Sequence, residues 1–327
     1  LFFGLNGPNF KGSKYAAAAL EKGASFAVID DPDEANDPKI IYCEDTLKAL
    51  QSLAKFHRSF YKKPLIGLTG SNGKTTTKEL MFRALSKKYI THATKGNLNN
   101  HIGVPLTLLG ITPQTQMTII EMGANHVGEI NELCQMAQPT HGLITNIGSA
   151  HTATFGGFEG VIRGKSELFE YLRTSHGLPF INTEDKVLAN MAKRFEEKIL
   201  YPSDAMKFVA AQPMMSYERA EVTHQTHLLG AYNYMNLAAV LAVGTYFKVE
   251  EISLLDAVNN YQSDNMRSQL LLKGSNQILL DAYNANPDSM RVALNSLDAF
   301  EGDKVAILGD MNELEDSEAV HLQLLQE

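Results

Sequence analysis

The sequence predicts an α/β fold built around a mainly parallel sheet that is covered by helices. Three observations predict it. The chain has 327 residues, enough for about two or three domains. From residue 64 onward, short apolar runs alternate with helix-compatible stretches, which is typical of parallel sheets. One apolar run leads into a glycine-rich loop with a lysine, the pattern that joins strand to helix around a phosphate.

The composition excludes several classes of protein. Hydrophobic residues make up 44% of the chain and charged residues 20%, as in ordinary globular proteins. The net charge of −8 argues against nucleic-acid binding. The 2 cysteines are too few for a disulfide framework, which favours a reducing cytoplasm. No apolar run reaches the roughly 18 residues that a membrane-spanning helix needs.

Residues 1–62 are predicted to form a small N-terminal α/β domain. Helical patterns cover 15–22 and 46–60, and a strand pattern covers 25–29. A proline at position 64 disfavours helix in the residue before it, so 61–64 is typical of a linker. The chain opens with Leu1 rather than methionine, and we therefore expect this domain to be incomplete.

Residues 63–264 are predicted to form the central domain. Its predicted strands are 65–69, 117–122, 142–147 and 178–182, and its predicted helices are 76–87, 128–136, 160–172, 233–247 and 251–259. Ligands of parallel sheets bind beyond the carboxyl ends of the strands. The loops 70–74, 123–126 and 148–151 are therefore the candidate ligand-binding loops.

Residues 265–327 are predicted to begin a third, C-terminal domain. The predicted elements are a strand at 277–282, a helix at 288–300 and a strand at 304–309. This segment is small for an α/β domain, so we expect it to be incomplete as well.

The phosphate loop is the strongest motif. It comprises Gly70, Ser71, Asn72, Gly73, Lys74, Thr75 and Thr76. The strict phosphate-loop pattern requires glycine where this chain has Leu68, so the strict match fails. The loop still has the groups that phosphate binding requires, because the glycines allow close backbone approach, Lys74 supplies a positive charge and the Thr75 hydroxyl can bind Mg²⁺. A glycine turn that binds nothing is the alternative, which three threonines after Lys74 disfavour.

Two residues at strand ends are candidate Mg²⁺ ligands beside this loop. Glu121 ends the apolar run 118–120, and His151 follows the strand pattern at 142–147. Taken alone, each has a better ordinary explanation: a helix cap or ion pair for Glu121, and a hydrogen-bonded loop histidine for His151. The carboxyl ends of parallel strands meet at one edge of the sheet, and this convergence favours a metal site.

Two polar clusters open later helices. Asn233 and Asn236 are three residues apart and share a helical face, where their amides could recognise an adenine edge. By spacing alone, a helix cap and a surface asparagine explain them better. Asp281, Asn284 and Asn286 lie in the stretch 281–289, another strand end that runs into a helix. An ordinary turn is the alternative there.

Five stretches together carry a resemblance to a known family. They are 69–75, 96–105, 121–126, 281–287 and 308–314, and they follow one another in the family's order. With them the chain resembles the Mur ligases, the ATP-dependent ligases of peptidoglycan synthesis. It is most similar to members that join D-alanyl-D-alanine to UDP-N-acetylmuramoyl-tripeptide.

The resemblance implies a three-domain, ADP-forming ligase with ATP and Mg²⁺ as cofactors and an acyl-phosphate intermediate. The N-terminal domain would bind the UDP-sugar, the central domain ATP, and a Rossmann-like C-terminal domain would close over the nucleotide. The enzyme would be a cytoplasmic monomer without nucleic-acid partner or membrane span.

The resemblance also implies roles for individual residues. Lys74 and Thr75 would hold phosphates and Mg²⁺, with Glu121 and His151 as further metal ligands. Lys165, modified by CO₂ to a carbamate, would bind a second Mg²⁺. The remaining assignments are Asn233, Asn236, Arg267, Asp281 and Asn284 for the nucleotide, and Asn97, Asn99, Asn100, Asn125 and His126 for the substrate.

Two rival functions stay open at this point. A sibling Mur ligase or a folylpolyglutamate synthase-like ligase would share the phosphate loop, but would lack 97–100 and 281–287 as they stand here. An ATP-binding partner protein without activity belongs to another class. The presence together of Lys74, Glu121 and His151 argues against it.

Overall fold

The computed structural model describes residues 1–148, 152–311 and 317–326. Its N-terminal part is a three-stranded parallel sheet in the order β1-β2-β3 with two helices. The elements are β1 (Phe2–Phe3), α1 (Ala16–Glu21), β2 (Ala27–Ile29), β3 (Ile40–Tyr42) and α2 (Thr46–Phe60). The predicted helices and strand of this part are confirmed within a few residues, and β1 and β3 were not predicted.

Helix α2 attaches this part to the rest of the molecule. The Asp45 side chain caps its N-terminus by accepting from the Lys48 N–H at 2.9 Å. Near its C-terminus, Arg58 is buried and donates to the carbonyls of Ala137 and Gln138, each at 2.7 Å. These carbonyls lie at the C-terminus of the central helix Glu129–Ala137, so Arg58 satisfies groups that a helix end leaves without partners.

The central part is a six-stranded, wholly parallel sheet in the order β5-β6-β4-β7-β8-β9. Its elements are β4 (Leu65–Thr69), α3 (Lys74–Ser86), β5 (Thr91–Ala93), α4 (Gly103–Leu109), β6 (Met117–Glu121), α5 (Glu129–Ala137), β7 (His141–Ile144), α6 (Thr152–Phe155), α7 (Phe158–Ser175), β8 (Leu178–Asn182), α8 (Lys186–Met191) and β9 (Ile199–Tyr201). All four predicted strands are confirmed, and β5 and β9 were not predicted.

The central strands are apolar throughout because both faces of the sheet are covered. Neighbouring residues of β4 point to opposite faces, so Ile66 and Leu68 enter one hydrophobic core and Leu65 enters the other. The register pairs Leu68 with Glu121, so β4 and β6 end side by side. The loop after β4 and the Glu121 carboxylate therefore share one edge of the sheet.

A second, antiparallel sheet lies beside the first core. It consists of β10 (Met206–Ala211), β11 (Met214–Arg219) and β12 (Val222–Leu229), followed by α9 (Asn233–Tyr246) and α10 (Glu251–Asn259). These strands were not predicted from the sequence. Met215 and Tyr217 are buried in the core that α9 and α10 also line, and their spacing of two residues is the signal that could have revealed a strand.

The C-terminal part contains the hairpin of β13 (Gln269–Lys273) and β14 (Asn276–Leu280), then α11 (Pro287–Asp298) and α12 (Ser317–Gln326). Asn286 and Ser289 form a reciprocal cap at the start of α11. The predicted strand at 304–309 is wrong. Val305 and Ile307 are exposed, and no described strand lies beside them to supply the hydrogen bonds that a strand needs. Within the described residues, no helix is long and apolar enough to cross a bilayer.

Candidate active site

The phosphate loop joins β4 to α3 through two glycines with positive φ. Gly70 has φ +142° and Gly73 has φ +79°, the region that favours glycine. A Cβ atom at Gly70 would lie 2.0 Å from Thr145 Oγ1, and one at Gly73 would lie 2.5 Å from Asn236 Oδ1. Both backbone shape and close packing therefore require glycine at these two positions.

The segment after β7 holds the loop in place. Ser71 N–H donates to the Asn146 carbonyl at 3.0 Å, and Asn72 N–H donates to Asn146 Oδ1 at 3.1 Å. The Ser71 hydroxyl accepts from Gly148 N–H at 2.9 Å. Asp185 caps α8 and also accepts from Ile147 N–H at 2.8 Å, so α8 supports the segment in turn.

Lys74 is the first residue of α3 and folds back over the loop. Its ammonium donates to the carbonyls of Gly70 at 2.8 Å and Ser71 at 2.9 Å. Free N–H groups and a partial positive charge at a helix N-terminus attract anions. The arrangement of loop, helix N-terminus and ammonium is therefore suited to a phosphate chain.

The Glu121 carboxylate lies beside the loop and is 1% exposed. Its Oε1 atom accepts from the Thr75 hydroxyl at 3.2 Å and from Asn99 Nδ2 at 2.8 Å. Its Oε2 atom has no hydrogen-bond partner among the described residues and lies 3.9 Å from Lys78 Nζ. A buried carboxylate oxygen without a hydrogen bond is costly unless a cation compensates it.

The two asparagines of α9 are buried and bonded to each other. Asn233 Nδ2 donates to the Leu229 carbonyl at 2.8 Å, and Asn236 Nδ2 donates to Asn233 Oδ1 at 2.9 Å. Asn236 faces the cleft through its contact with Gly73, whereas Asn233 does not line the cleft. Asn233 therefore supports Asn236 and the helix start in this structure.

The C-terminal part supplies the opposite wall. The Arg267 guanidinium stacks 3.7 Å from the centre of the Tyr283 ring. Ser268 Oγ donates to Asp281 Oδ2 at 2.9 Å. Burial raises the pKa of Asp281, although hydrogen bonds from Ser268 and the charge of Arg267 oppose the shift. Asn286 Nδ2 lies 3.4 Å from Asn72 Oδ1, a direct hydrogen bond between this wall and the phosphate loop.

Lys165 lies on α7 and is 1% exposed. Its ammonium donates to the Ala124 carbonyl at 3.0 Å and sits 5.0 Å from the centre of the Phe155 ring. Burial, followed by the positive charge of Lys74, lowers the pKa of Lys165 to about 7, although Glu129 and Glu167 oppose the shift. A large fraction of this amine is therefore neutral near neutral pH.

The loop after β6 is organised by Glu129. Its carboxylate accepts from the backbone N–H groups of Asn125 at 2.8 Å and His126 at 3.3 Å, and contacts His126 Nδ1 at 3.0 Å. Burial alone would raise the pKa of Glu129, but these hydrogen bonds outweigh it and lower that pKa below its ordinary value. Asn125 lines the cleft, whereas His126 is exposed and does not line it.

These walls enclose one cleft of about 580 Å³. The predicted residues that line it are Ser71, Asn72, Gly73, Lys74, Thr75, Thr76, Asn99, Asn100, Glu121, Asn125, Asn236, Arg267, Asp281 and Asn284. Five others do not line it: Gly70, Asn97, His126, Lys165 and Asn233. His151 and residues 312–314 of the motif at 308–314 lie outside the described residues.

Several cleft residues were missed as site residues from the sequence. They include Glu129, Asn146, Tyr232, Ser268 and Asp288. Asn146 falls inside the predicted strand 142–147, whereas β7 ends at Ile144 and leaves Asn146 in the segment that follows. Asp288 lies in the first turn of α11, within the stretch 281–289 that follows a strand, so its position was an available signal. No comparable sequence signal identifies Ser268, which lies at the cleft because of the packing of the C-terminal part.

Comparison with known proteins bears on this geometry. A family model described as the Mur ligase middle domain matches residues 68–244, more than half of the chain. A second model, described as the Mur ligase glutamate ligase domain, matches residues 266–327.

Two similar proteins carry the same name, UDP-N-acetylmuramoyl-tripeptide–D-alanyl-D-alanine ligase. The Bacillus subtilis protein is 36% identical, with 97% of this chain and 72% of the relative covered. The Escherichia coli protein is 33% identical, with 99% of this chain and 75% of the relative covered.

Solved structures agree with these sequence matches. MurF from Acinetobacter baumannii superposes with a TM-score of 0.87 at 29% identity, covering 98% of this chain and 73% of that chain. MurF ligase from Thermotoga maritima in complex with ADP superposes with a TM-score of 0.85 at 26% identity, covering 99% and 77%. Sequence motifs, fold and cleft thus agree, and the chain belongs to the Mur ligase family.

Proposed function

We infer that this protein is an ATP-dependent, ADP-forming ligase that joins D-alanyl-D-alanine to UDP-N-acetylmuramoyl-tripeptide in peptidoglycan precursor synthesis. The observation that carries this inference is the cleft, in which a phosphate loop and a buried carboxylate face the C-terminal wall. The names of the Bacillus subtilis and Escherichia coli relatives supply the substrates. No observation favours a sibling ligase or an inactive partner protein.

The phosphate loop is the proposed ATP site. Backbone N–H groups at the start of α3 and the Lys74 ammonium would neutralise the phosphate chain. Asn236, Arg267, Asp281 and Asn284 line the same cleft and would enclose the remainder of the nucleotide. A relative of similar fold was solved with ADP, which supports a nucleotide in this cleft.

The residues present fit one Mg²⁺ ion beside the loop. Magnesium prefers hard oxygen ligands and usually keeps several waters, so few protein ligands suffice. The Thr75 hydroxyl and the Glu121 carboxylate lie 3.2 Å apart, and Glu121 Oε2 has no hydrogen-bond partner among the described residues. No described group of three His, Cys, Asp or Glu residues could hold a metal ion. The bound ion would neutralise charge on the phosphates during phosphoryl transfer.

The chemistry requires an activated carboxyl group, because a carboxylate has no good leaving group. An oxygen of the tripeptide carboxylate would attack the γ-phosphorus of ATP, and the bond to the ADP oxygen would break. The amine of D-alanyl-D-alanine would then attack the acyl phosphate, releasing phosphate and a proton. In such transfers the protein mainly positions the reactants and neutralises charge, the roles proposed for Lys74 and the loop.

Lys165 is proposed to carry CO₂ as a carbamate that binds a second Mg²⁺. Carbamate formation needs the neutral amine, and the pKa of about 7 supplies it. The reaction joins the amine nitrogen to the carbon of CO₂ and releases one proton. Lys165→Ala should lose activity, and added short carboxylic acids should partly restore it. Full activity of the untreated variant would contradict this role.

The decisive experiment measures phosphate release by the purified chain. Release should require ATP, UDP-N-acetylmuramoyl-tripeptide and D-alanyl-D-alanine together, and removal of Mg²⁺ should abolish it. Release with a different amine acceptor would favour a sibling ligase, and none under any condition would favour an inactive partner. We place the protein in the cytoplasm. We also propose that it is a monomer, which light scattering of the purified protein tests.

A further inference from the structure

Lys78 is a buried cation that the proposed reaction does not use. It lies on α3, one helical turn after Lys74, and its side chain is 1% exposed. Lysine is almost never fully buried unless it is paired, because its charge loses hydration. Its burial in the helix that follows the phosphate loop therefore needs an explanation.

Three acceptors surround the Lys78 ammonium. Glu79 Oε1 lies 2.8 Å away, the Gly96 carbonyl 3.4 Å and Glu121 Oε2 3.9 Å. The ammonium donates to the Gly96 carbonyl and forms an ion pair with Glu79, whereas Glu121 Oε2 is too distant for a hydrogen bond and is attracted through charge alone. Two of the neighbours belong to the cleft edge, because Glu121 ends β6 and Gly96 opens the loop that carries Asn99 and Asn100.

The two oxygens of Glu121 are divided between different partners. Oε1 accepts from Thr75 and Asn99, whereas Oε2 faces Lys78. Attraction between Lys78 and Oε2 opposes rotation of the carboxylate, which would take Oε1 away from the Thr75 hydroxyl. The Gly96 contact holds the following loop, and hence Asn99, against the same carboxylate.

We propose that Lys78 is a positioning residue that orients the Glu121 carboxylate toward Thr75 and anchors the loop 96–100 to it. This role rests on the proposed function, in which Thr75 and Glu121 bind Mg²⁺. A purely structural role explains the contacts less well. Replacing a buried ion pair by apolar residues of similar size is often neutral or stabilising, so packing alone does not require a lysine.

The test compares ATP binding with and without Mg²⁺ by titration calorimetry. In Lys78→Met, ATP affinity without Mg²⁺ should stay within about twofold of wild type, because Lys74 and the loop remain. The gain in affinity on adding Mg²⁺ should fall by at least about tenfold, as expected when one charge-assisted contact loses its geometry. Lys87→Met is the matched control, since Lys87 follows α3 and pairs with Asp256 on the surface.

The possible outcomes distinguish a failure of the proposed function from a failure of the positioning role of Lys78. A wild-type protein whose ATP affinity ignores Mg²⁺ would contradict the proposed function itself. A wild type that responds to Mg²⁺, with an equal response in Lys78→Met, would overturn the positioning role alone. If Lys78→Met does not fold, Lys78→Met combined with Glu121→Gln decides. Folding of the double variant supports the pairing, because the uncompensated carboxylate is gone, and its failure to fold assigns Lys78 to packing and overturns the proposal.

Discussion

At the scale of single residues, the site depends on charges placed where water is scarce. Glu121, Lys78 and Lys165 are each about 1% exposed or less, although ionised groups are rarely buried. Each has polar or charged neighbours that were brought together from different strands and helices. Buried charges with defined partners cannot reorient freely, and this property suits the proposed role of the site in holding phosphates and Mg²⁺ in one geometry.

Lys74 provides the first prediction at this scale. Lys74→Ala should lower kcat by about 100-fold or more, because a preorganised charge that stabilises the transition state is removed. Folding should persist, since a partly exposed lysine contributes little stability. Steady-state phosphate release and a thermal melt check both parts. More than about a tenth of the wild-type kcat would contradict the phosphate-loop assignment.

Lys165 gives the second prediction, a dependence of stability on pH. Its pKa is about 7 in the folded chain, against an ordinary value of 10.5. Between these values the unfolded chain binds the additional proton, so the contribution of Lys165 to stability rises with pH through this window. Below pH 7 both states are protonated, and the cost of burying the charge is fully present.

The measurement is urea unfolding of wild type and Lys165→Met in CO₂-free buffer from about pH 7 to 9.5. The free energy of unfolding of wild type should increase relative to that of the variant as pH rises, because the variant lacks the titrating amine. A difference that stays constant over this range would show that the amine is not titrating near 7.

At the scale of elements, the β4–α3 connection sets the shape of the phosphate site. The loop is short, so both glycines must adopt positive φ for α3 to begin at Lys74. Asn146, in the segment after β7, accepts from the N–H groups of Ser71 and Asn72 and donates to the Asn72 carbonyl, whereas the Gly70 and Ser71 carbonyls accept from Lys74. A neighbouring parallel strand thus supports the loop, which is why the site forms only once the sheet is assembled.

Gly73→Ala tests this connection. The added Cβ would lie 2.5 Å from Asn236 Oδ1, on a backbone with φ +79°. We expect ATP affinity to fall by at least about tenfold, since the left-handed backbone costs an L-residue about 1–2 kcal/mol and the contact adds to this. Gly274→Ala is the control, because Gly274 has φ +63° and nothing lies within 4 Å of its Cβ position. Calorimetry with equal losses in both variants would refute the packing argument.

At the scale of the whole molecule, the cleft has walls from two parts of the chain. The central part contributes the phosphate loop and Glu121, and the C-terminal part contributes Arg267 and Asp281. Asn286 Nδ2 donates to Asn72 Oδ1 at 3.4 Å, a long hydrogen bond between this wall and the phosphate loop. Ligands bound between two such parts of a chain often drive closure.

We therefore predict that ATP and the UDP-sugar together compact the molecule. Small-angle scattering should show a smaller radius of gyration with both ligands than with neither, because the C-terminal part closes over the nucleotide. The Lys74→Ala variant is the control, since weakened phosphate binding should reduce the change. An unchanged scattering curve in the wild type at saturating ligand would rule out closure.

The sequence by itself determined the elements whose signal is local. The apolar strands β4, β6, β7 and β8, the phosphate loop and the polar residues at strand ends are all visible within a few neighbouring positions. Because parallel strands bring their carboxyl ends to one edge, the approach of Thr75 to Glu121 could also be predicted.

Only the tertiary structure decided the contacts between distant segments. Lys78 meets Glu121 across 43 positions of sequence, and no local pattern marks that lysine as buried. The same limit applies to 304–309, where an apolar alternation has no described strand to pair with. A strand pattern indicates a local conformational preference. The hydrogen bonds and the burial of the strand depend on neighbours elsewhere in the chain.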